Sequence, residues 1–344
     1  MIRSMRQEIL QRRNYLKKKL VSSIYFGGGT PSILSSFEIE NFINDISKFY
    51  LVSSNAEITI ECNPDDLTQK KLLSFKKIGI NRLSIGVQSF CDSDLKFMNR
   101  THSSNDAIKS INLAKKIGFK NLTIDLIYGL PNQAVKDWEN NLEILFGLDI
   151  QHFSAYSLTV ESKTKLSHLV KTQKIMMLSD EKIIEQFNLL QKKASDNGFI
   201  HYEISNFGKE GYFSLHNTAY WKSHNYLGIG PSAHSFNGKT RRWNTSSHKK
   251  YISKIASKEI YFEQEELNIV HQYNEYILTS LRTMWGININ LIKESYGNQL
   301  EAYFLKEVKK WIKKKLVIVD ANIYKLTSKG KILADTIVSD LFFV

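Results

Sequence analysis

The chain has 344 residues, with 42% hydrophobic and 12% aromatic residues against 17 Gly and 4 Pro, which suits about two domains and excludes a disordered chain, a fibrous repeat or a mini-protein. No apolar run approaches the roughly 18 residues of a membrane span, and the opening MIRSMRQEILQRR has no signal-peptide core, so a cytoplasmic protein is expected. The net charge of +13 favours anionic partners, although lysine-rich stretches such as 17–19 and 309–315 also read as ordinary solvated helix faces.

Ile2, Met5, Ile9, Leu16 and Leu20 recur at helical spacing, so 2–20 is predicted as an amphipathic helix rather than a transit peptide. Strand 22–26 follows, then helix 36–50, strand 56–62, helix 68–77, strand 82–87, helix 105–117, strand 121–129, helix 135–147 and strand 152–158. The strands read as unbroken apolar runs, the pattern of a parallel sheet buried on both faces, and the alternation predicts an α/β fold. Polar or glycine residues close each strand: Gly27 to Thr30, Glu61, Gln88, Asp125 and Tyr156. Carboxyl ends of parallel strands form the reactive face, so these residues are expected to converge. Helix 179–197 leads into a Gly- and aromatic-rich region, 198–248; then helices at 265–284, 289–295 and 299–314, strands at 316–320 and 323–327 and a last helix give the order of a winged-helix-like module. Helix 299–314 carries Leu300, Tyr303, Phe304, Val308 and Trp311, a core pattern rather than an Arg- and Asn-bearing recognition helix, so no nucleic-acid partner is expected.

The glycine loop YFGGGTPS (25–32) lets backbone N–H groups approach a ligand closely, yet alone it is equally an unliganded turn. In combination with IECNPDD (60–66), INRLSIGVQSFCDSDLKFMNRTHS (80–103) and IDLIYGLPNQ (124–133) it is far more specific. With these motifs in this order, the chain resembles the radical S-adenosylmethionine (SAM) enzymes around oxygen-independent coproporphyrinogen III oxidase, over essentially its whole length. The loop HNTAYW (216–221), followed by LGIGPSAHSF (227–236), resembles the haem chaperone branch of that family. The resemblance implies a partial (β/α)6 TIM-like barrel lacking its first strand, over 1–200, a connecting region with the haem motif over 201–262 and the winged-helix-like domain over 263–344. The family holds a [4Fe-4S] cluster on C-x3-C-x2-C. Here Cys62 and Cys91 are the only cysteines; they lie after different strands, cannot replace that loop and read as small buried hydrophobes. An N-terminal truncation, or a natural cluster-free paralogue, is expected, without reductive SAM cleavage by this chain.

Carried over position by position, the resemblance implies that Gly28, Gly29, Thr30, Glu61, Gln88, Arg100, Asp125 and Ala155 line a SAM pocket. Carboxylates suit the ligand's cationic and hydroxyl donors, and an Arg suits its carboxylate. Each has a structural alternative: a helix cap for Asp125, a surface ion pair for Arg100, strand-end hydrogen bonding for Gln88. For haem, the resemblance points to His216, Asn217, Tyr220 and Trp221, with His216 as an axial ligand and the two aromatic rings as flat apolar surface. A hydrogen-bonded structural histidine is the alternative, and His224 and His234 are further candidates. The implied function is a carrier that passes haem to recipient haemoproteins at the membrane; coproporphyrinogen III decarboxylation is the competing reading.

Overall fold

The computed structural model describes all 344 residues. In chain order the elements are α1 (Ile2–Gln11), β1 (Leu20–Phe26), α2 (Ser36–Ser47), β2 (Leu51–Cys62), α3 (Gln69–Lys77), β3 (Arg82–Gln88), α4 (Asp92–Phe97), α5 (Ser104–Ile117), β4 (Asn121–Tyr128), α6 (Val135–Gly147), β5 (His152–Ser157), α7 (Lys165–Lys171), α8 (Asp180–Asp196), β6 (Ile200–Glu203) and β7 (Asn206–Gly208). There follow α9 (Leu215–Trp221), β8 (His234–Phe236), β9 (Thr240–Asn244), α10 (His248–Ser257), β10 (Phe262–Glu266), α11 (Ile269–Leu281), β11 (Ile287–Asn288), α12 (Ile289–Tyr296), α13 (Asn298–Lys313), β12 (Val317–Asp320), β13 (Ile323–Leu326), α14 (Ser328–Ile332) and α15 (Ala334–Asp340). The chain divides into two compact units, one of residues 25–33 and 58–213 and one of residues 1–24, 34–57 and 214–344. No helix is long and apolar enough to cross a membrane.

A seven-stranded sheet, ordered β1-β2-β3-β4-β5-β7-β6, is rich in parallel pairs, as the alternating pattern predicts, and forms the half-barrel that the family resemblance implies. The β2·β3, β3·β4 and β4·β5 ladders are parallel, while β7 runs antiparallel to both β5 and β6. One face of the central strands is apolar: Leu83, Ile85, Leu122, Ile124 and Phe153 are buried, each worth about 1.5–3 kcal/mol of removed apolar surface. The other face differs from the expected apolar run. Thr59, Glu61, Arg82, Ser84, Thr123, Asp125, His152 and Ser154 occupy alternate positions, and strand pleating puts them on one side.

That polar face is hydrogen-bonded along rungs, which is what makes its burial tolerable. Arg82 donates to Thr123 Oγ1; Thr123 Oγ1 lies 3.0 Å from His152 Nδ1, and His152 Nε2 lies 2.8 Å from the Tyr202 hydroxyl. Burial, with Arg82 nearby, holds His152 well below its usual pKa. Neutral imidazole then accepts at Nδ1 and donates at Nε2.

In the second unit, α1 is shorter than the apolar spacing predicts. It stops at Gln11 because Arg12 turns inward, donating to Glu8 at 3.1 Å, Gly228 O at 3.0 Å and Ser235 Oγ at 2.9 Å. Leu16 and Leu20 therefore lie outside the helix. Glu8, fully buried, also accepts from Gly230 N, Asn244 and Tyr251, so α1 is tied to the β8–α10 region by a satisfied polar cluster. The helix expected over 265–284 begins only at Ile269, because 262–266 pairs with β9. The C-terminal module has helix α11, strand β11, helices α12 and α13, then strands β12 and β13 in a three-stranded antiparallel sheet, the winged-helix-like order. Leu300, Phe304, Val308 and Trp311 of α13 are buried. The short helices α4 and α7 have no counterpart in the sequence reading.

Candidate functional site

The first cluster lies at the carboxyl ends of the parallel strands. After β1 the backbone enters the left-handed region at Gly28 (φ +82°) and Gly29 (φ +152°), where a Cβ is strained although neither position has a neighbouring atom to meet. Gly28 and Gly29 are therefore required by conformation rather than by crowding, whereas a Cβ at Gly27 would collide with the Tyr25 ring and the Glu61 carboxylate. Gly28 N donates to Glu61 Oε2 at 3.1 Å, and the Tyr25 hydroxyl donates to Glu61 Oε1 at 2.7 Å. Thr30, half-buried, starts the turn into Pro31–Ile33, which Ser32 fastens by donating to Asp66 at 2.5 Å.

Gln88 ends β3 in the left-handed region (φ +70°) where the β3·β4 register shifts. Such strain in a non-glycine residue is held by its surroundings and concentrates at functional sites. Arg100 makes no surface ion pair; Nη2 donates to Asn63 Oδ1 at 2.8 Å and Gly86 O at 2.7 Å. Burial lowers its pKa, against the opposing pull of Asp65. Asp125 caps no helix: it accepts from Ser84 at 2.9 Å in the β4 interior. Desolvation pushes its carboxyl up to about 6, partly offset by the Ser154 and Ser84 hydroxyls and Arg82, with Glu61 adding repulsion. Ala155 is buried beside it on β5, its N–H bonded to Ser205 O at 2.8 Å, and Tyr156 next to it is 45% exposed.

This rim presents two mutually repelling carboxylates, a desolvated guanidinium and an open glycine backbone. It is chemically suited to a small ligand bearing cationic, hydroxyl and carboxylate groups. Sequence reasoning missed Tyr25, Ser84 and Asn63, the groups that orient Glu61, Asp125 and Arg100.

The second cluster is α9, which carries HNTAYW. Ser214 caps it, accepting from Asn217 N at 3.2 Å. The buried Glu57 carboxylate, also missed from sequence, accepts from Leu215 N at 3.0 Å and His216 N at 3.1 Å. This places a negative charge at the positive helix end. His216 is half-buried, its Nδ1 3.5 Å from Ser23 Oγ and its ring 5.5 Å from that of Tyr220, which stacks on Tyr226 at 4.3 Å. Trp221 lies beneath the Arg282 guanidinium, 6.0 Å from its ring centre. His224 is exposed just beyond the helix, and His234 is exposed on β8, 6.4 Å from the Trp243 ring.

The fold and the strand-end rim define a protein of the radical SAM class. Residues 5–145 match the Radical SAM superfamily and residues 270–333 the HemN C-terminal domain. Coproporphyrinogen III oxidase (HemN) from Escherichia coli shares the fold with a TM-score of 0.84 at 23% identity, covering 98% of this chain and 82% of that one. Heme chaperone HemW of Bacillus subtilis is 35% identical over 319 residues, 92% of this chain and 84% of its own length. The protein of the same name from Buchnera aphidicola subsp. Schizaphis graminum is 33% identical over 335 residues, 94% of this chain and 84% of its own length. The chain belongs to the HemW-like family of radical SAM proteins, with a HemN C-terminal domain.

That class uses SAM with a [4Fe-4S] cluster. The strand-end rim fits the first. The residues of this chain do not fit the second: Cys62, the last residue of β2, is buried, with its thiol pKa raised by desolvation, Cys91 is half-buried at the start of α4, and no three His, Cys, Asp or Glu side chains gather as a metal site.

Proposed function

We propose that this protein is a haem chaperone, with haem carried on α9 for delivery to recipient haemoproteins and SAM bound at the strand-end rim. The observation that carries the reading is His216, a half-buried imidazole with Tyr220 and Tyr226 rings stacked beyond it, in a chain whose relatives over most of its length bear the name heme chaperone. Imidazole is a good axial ligand for haem iron, and the rings of Tyr220 and Trp221 offer apolar surface to a porphyrin, with Asn217 beside them. At the rim, Glu61 and Asp125 serve the ammonium, sulfonium and ribose hydroxyls, Arg100 the ligand carboxylate, and Gly28, Gly29, Thr30, Gln88 and Ala155 the remaining wall. Bound there, SAM would supply an adenosyl group bonded to a cationic sulfonium sulfur; this chain's own part is to bind and orient it.

Titration with haemin, followed by absorbance, tests the haem site. His216→Ala is expected to shift the Soret band and weaken binding by about tenfold or more, whereas Trp221→Ala weakens binding with little change in ligation. If His224→Ala changes the spectrum while His216→Ala does not, the ligand lies further along the loop. If none of these substitutions matters, haem does not bind at α9 and the reading fails.

A further inference from the structure

The helix α9 has seven residues and none of them is buried. A helix this short has negligible stability of its own, so its placement depends on what grips its ends. At the amino end the grip is Glu57, already described. At the carboxyl end two elements exchange partners: the helix end supplies the Trp221 indole and the Lys222 ammonium, and the residues closing α11 supply the Arg282 guanidinium and the Trp285 indole. Arg282 lies over Trp221 at 6.0 Å and Lys222 over Trp285 at 4.6 Å, both measured to the ring centre.

Arg282 is itself steadied by an ion pair with Asp335 of α15, and its side chain is only 21% exposed. Both Arg282 and Trp285 fall within the matched HemN C-terminal domain. Nothing in the sequence motif HNTAYW requires them, because they lie some 60 residues downstream.

We infer that Arg282 and Trp285 are positioning residues through which the C-terminal module holds α9, and with it His216, in a haem-accepting pose. This rests on the haem reading above. The module then has a task at the cargo site although it contributes no haem ligand: it replaces the buried face that so short a helix lacks. Each cation–π contact is individually modest, and a pair that shares one helix end acts on the same freedom of movement.

The test uses the full chain carrying Lys222→Gln and Arg282→Gln together, polar replacements at positions that are not core, beside Arg282→Lys, which keeps the cation. Amide hydrogen exchange in α9 is measured without ligand, and haemin affinity and Soret position are measured by titration. The double variant is expected to exchange about tenfold faster in α9 and to bind haemin about tenfold more weakly, a change of about 1.4 kcal/mol, with an altered Soret band. Arg282→Lys should remain within about twofold of the wild type in both. Wild-type exchange and wild-type haemin binding in the double variant would overturn the inference while leaving the haem reading intact. Faster exchange in a protein whose haemin binding ignores His216→Ala would overturn the haem reading, and the positioning role with it.

Discussion

Replacing Asp125 by Asn should stabilise the protein at neutral pH, an uncommon result for a polar substitution inside a half-barrel. The carboxyl is raised from its ordinary 3.8 to about 6, mainly by desolvation. A group whose native pKa lies above its unfolded value binds its proton more tightly when folded. Stability is therefore lost as pH rises between about 4 and 6, and the loss persists above that window. At about 1.4 kcal/mol per pH unit the rise amounts to roughly 3 kcal/mol. Water reaching a partly accessible site brings the expected effect to roughly 1–2 kcal/mol. Asn keeps an oxygen to accept from Ser84, 2.9 Å away from the carboxylate, and carries no charge to desolvate. Urea unfolding at pH 4, 5, 6 and 7.5 measures it: the two proteins should agree at pH 4 and diverge in favour of Asn by pH 7.5. An Asn variant less stable than the wild type at pH 7.5 would refute the desolvation argument, since it would mean the carboxylate is net stabilised where it sits. Binding should move the other way, because a cationic ligand is held by the ionised form; SAM affinity should fall in the variant although the fold is firmer.

The parallel core was legible because Leu83, Ile85, Leu122 and Ile124 fall in short apolar runs between helical segments, a pattern set by burial itself. The polar face of the same strands was not recognised, although the signal was present: in AEITIEC the residues Glu57, Thr59 and Glu61 alternate with Ala56, Ile58 and Ile60. Read at a period of two, that segment gives one apolar and one polar face. Both are largely buried, which a simple inside-versus-outside pattern does not anticipate. Glu57 was consequently passed over, and its role at the start of α9 depends on a partner more than 150 residues away. The expected starts of α2 and α5 fall within a residue of the observed ones, where Ser35 and Ser103 cap the helices locally. The helix end was not legible at Arg12, where termination comes from a buried side chain with distant partners. The strand-end positions of the glycine loop, Glu61, Gln88 and Asp125 were legible from the order of strands, whereas Arg100 and Ala155 were singled out only through the family motifs. The orienting groups Tyr25 and Ser84 were missed because Tyr and Ser in a strand look like ordinary filler until the register is known.

Three further outcomes are expected. Gly28→Ala meets no atom but forces a side chain into φ +82°, so a loss of about 1 kcal/mol from backbone strain is expected, with weaker SAM binding by calorimetry; unchanged stability would mean that the loop relaxes out of this conformation. Anaerobic incubation of this 344-residue chain with iron and sulfide should give no [4Fe-4S] absorption and no 5′-deoxyadenosine, because only two cysteines are present, one at the end of β2 and one at the start of α4; stoichiometric deoxyadenosine would contradict it. The last outcome concerns salt and separates the two ligands by charge. At +13 the protein's field draws in anions such as the haem propionates. SAM carries one net positive charge and is repelled at long range, yet Glu61 and Asp125 would meet it at contact distance. The Debye length is about 10 Å at 0.1 M salt and about 3 Å at 1 M, so salt removes the long-range field long before it weakens a contact pair in a partly dry site. Stopped-flow association of monomeric haemin should therefore slow several-fold between about 0.05 and 0.5 M salt, while SAM affinity changes by less than about twofold. Haemin association indifferent to salt would show that the basic surface takes no part in its capture, and a tenfold loss of SAM affinity would show that the rim carboxylates act through solvent rather than by contact.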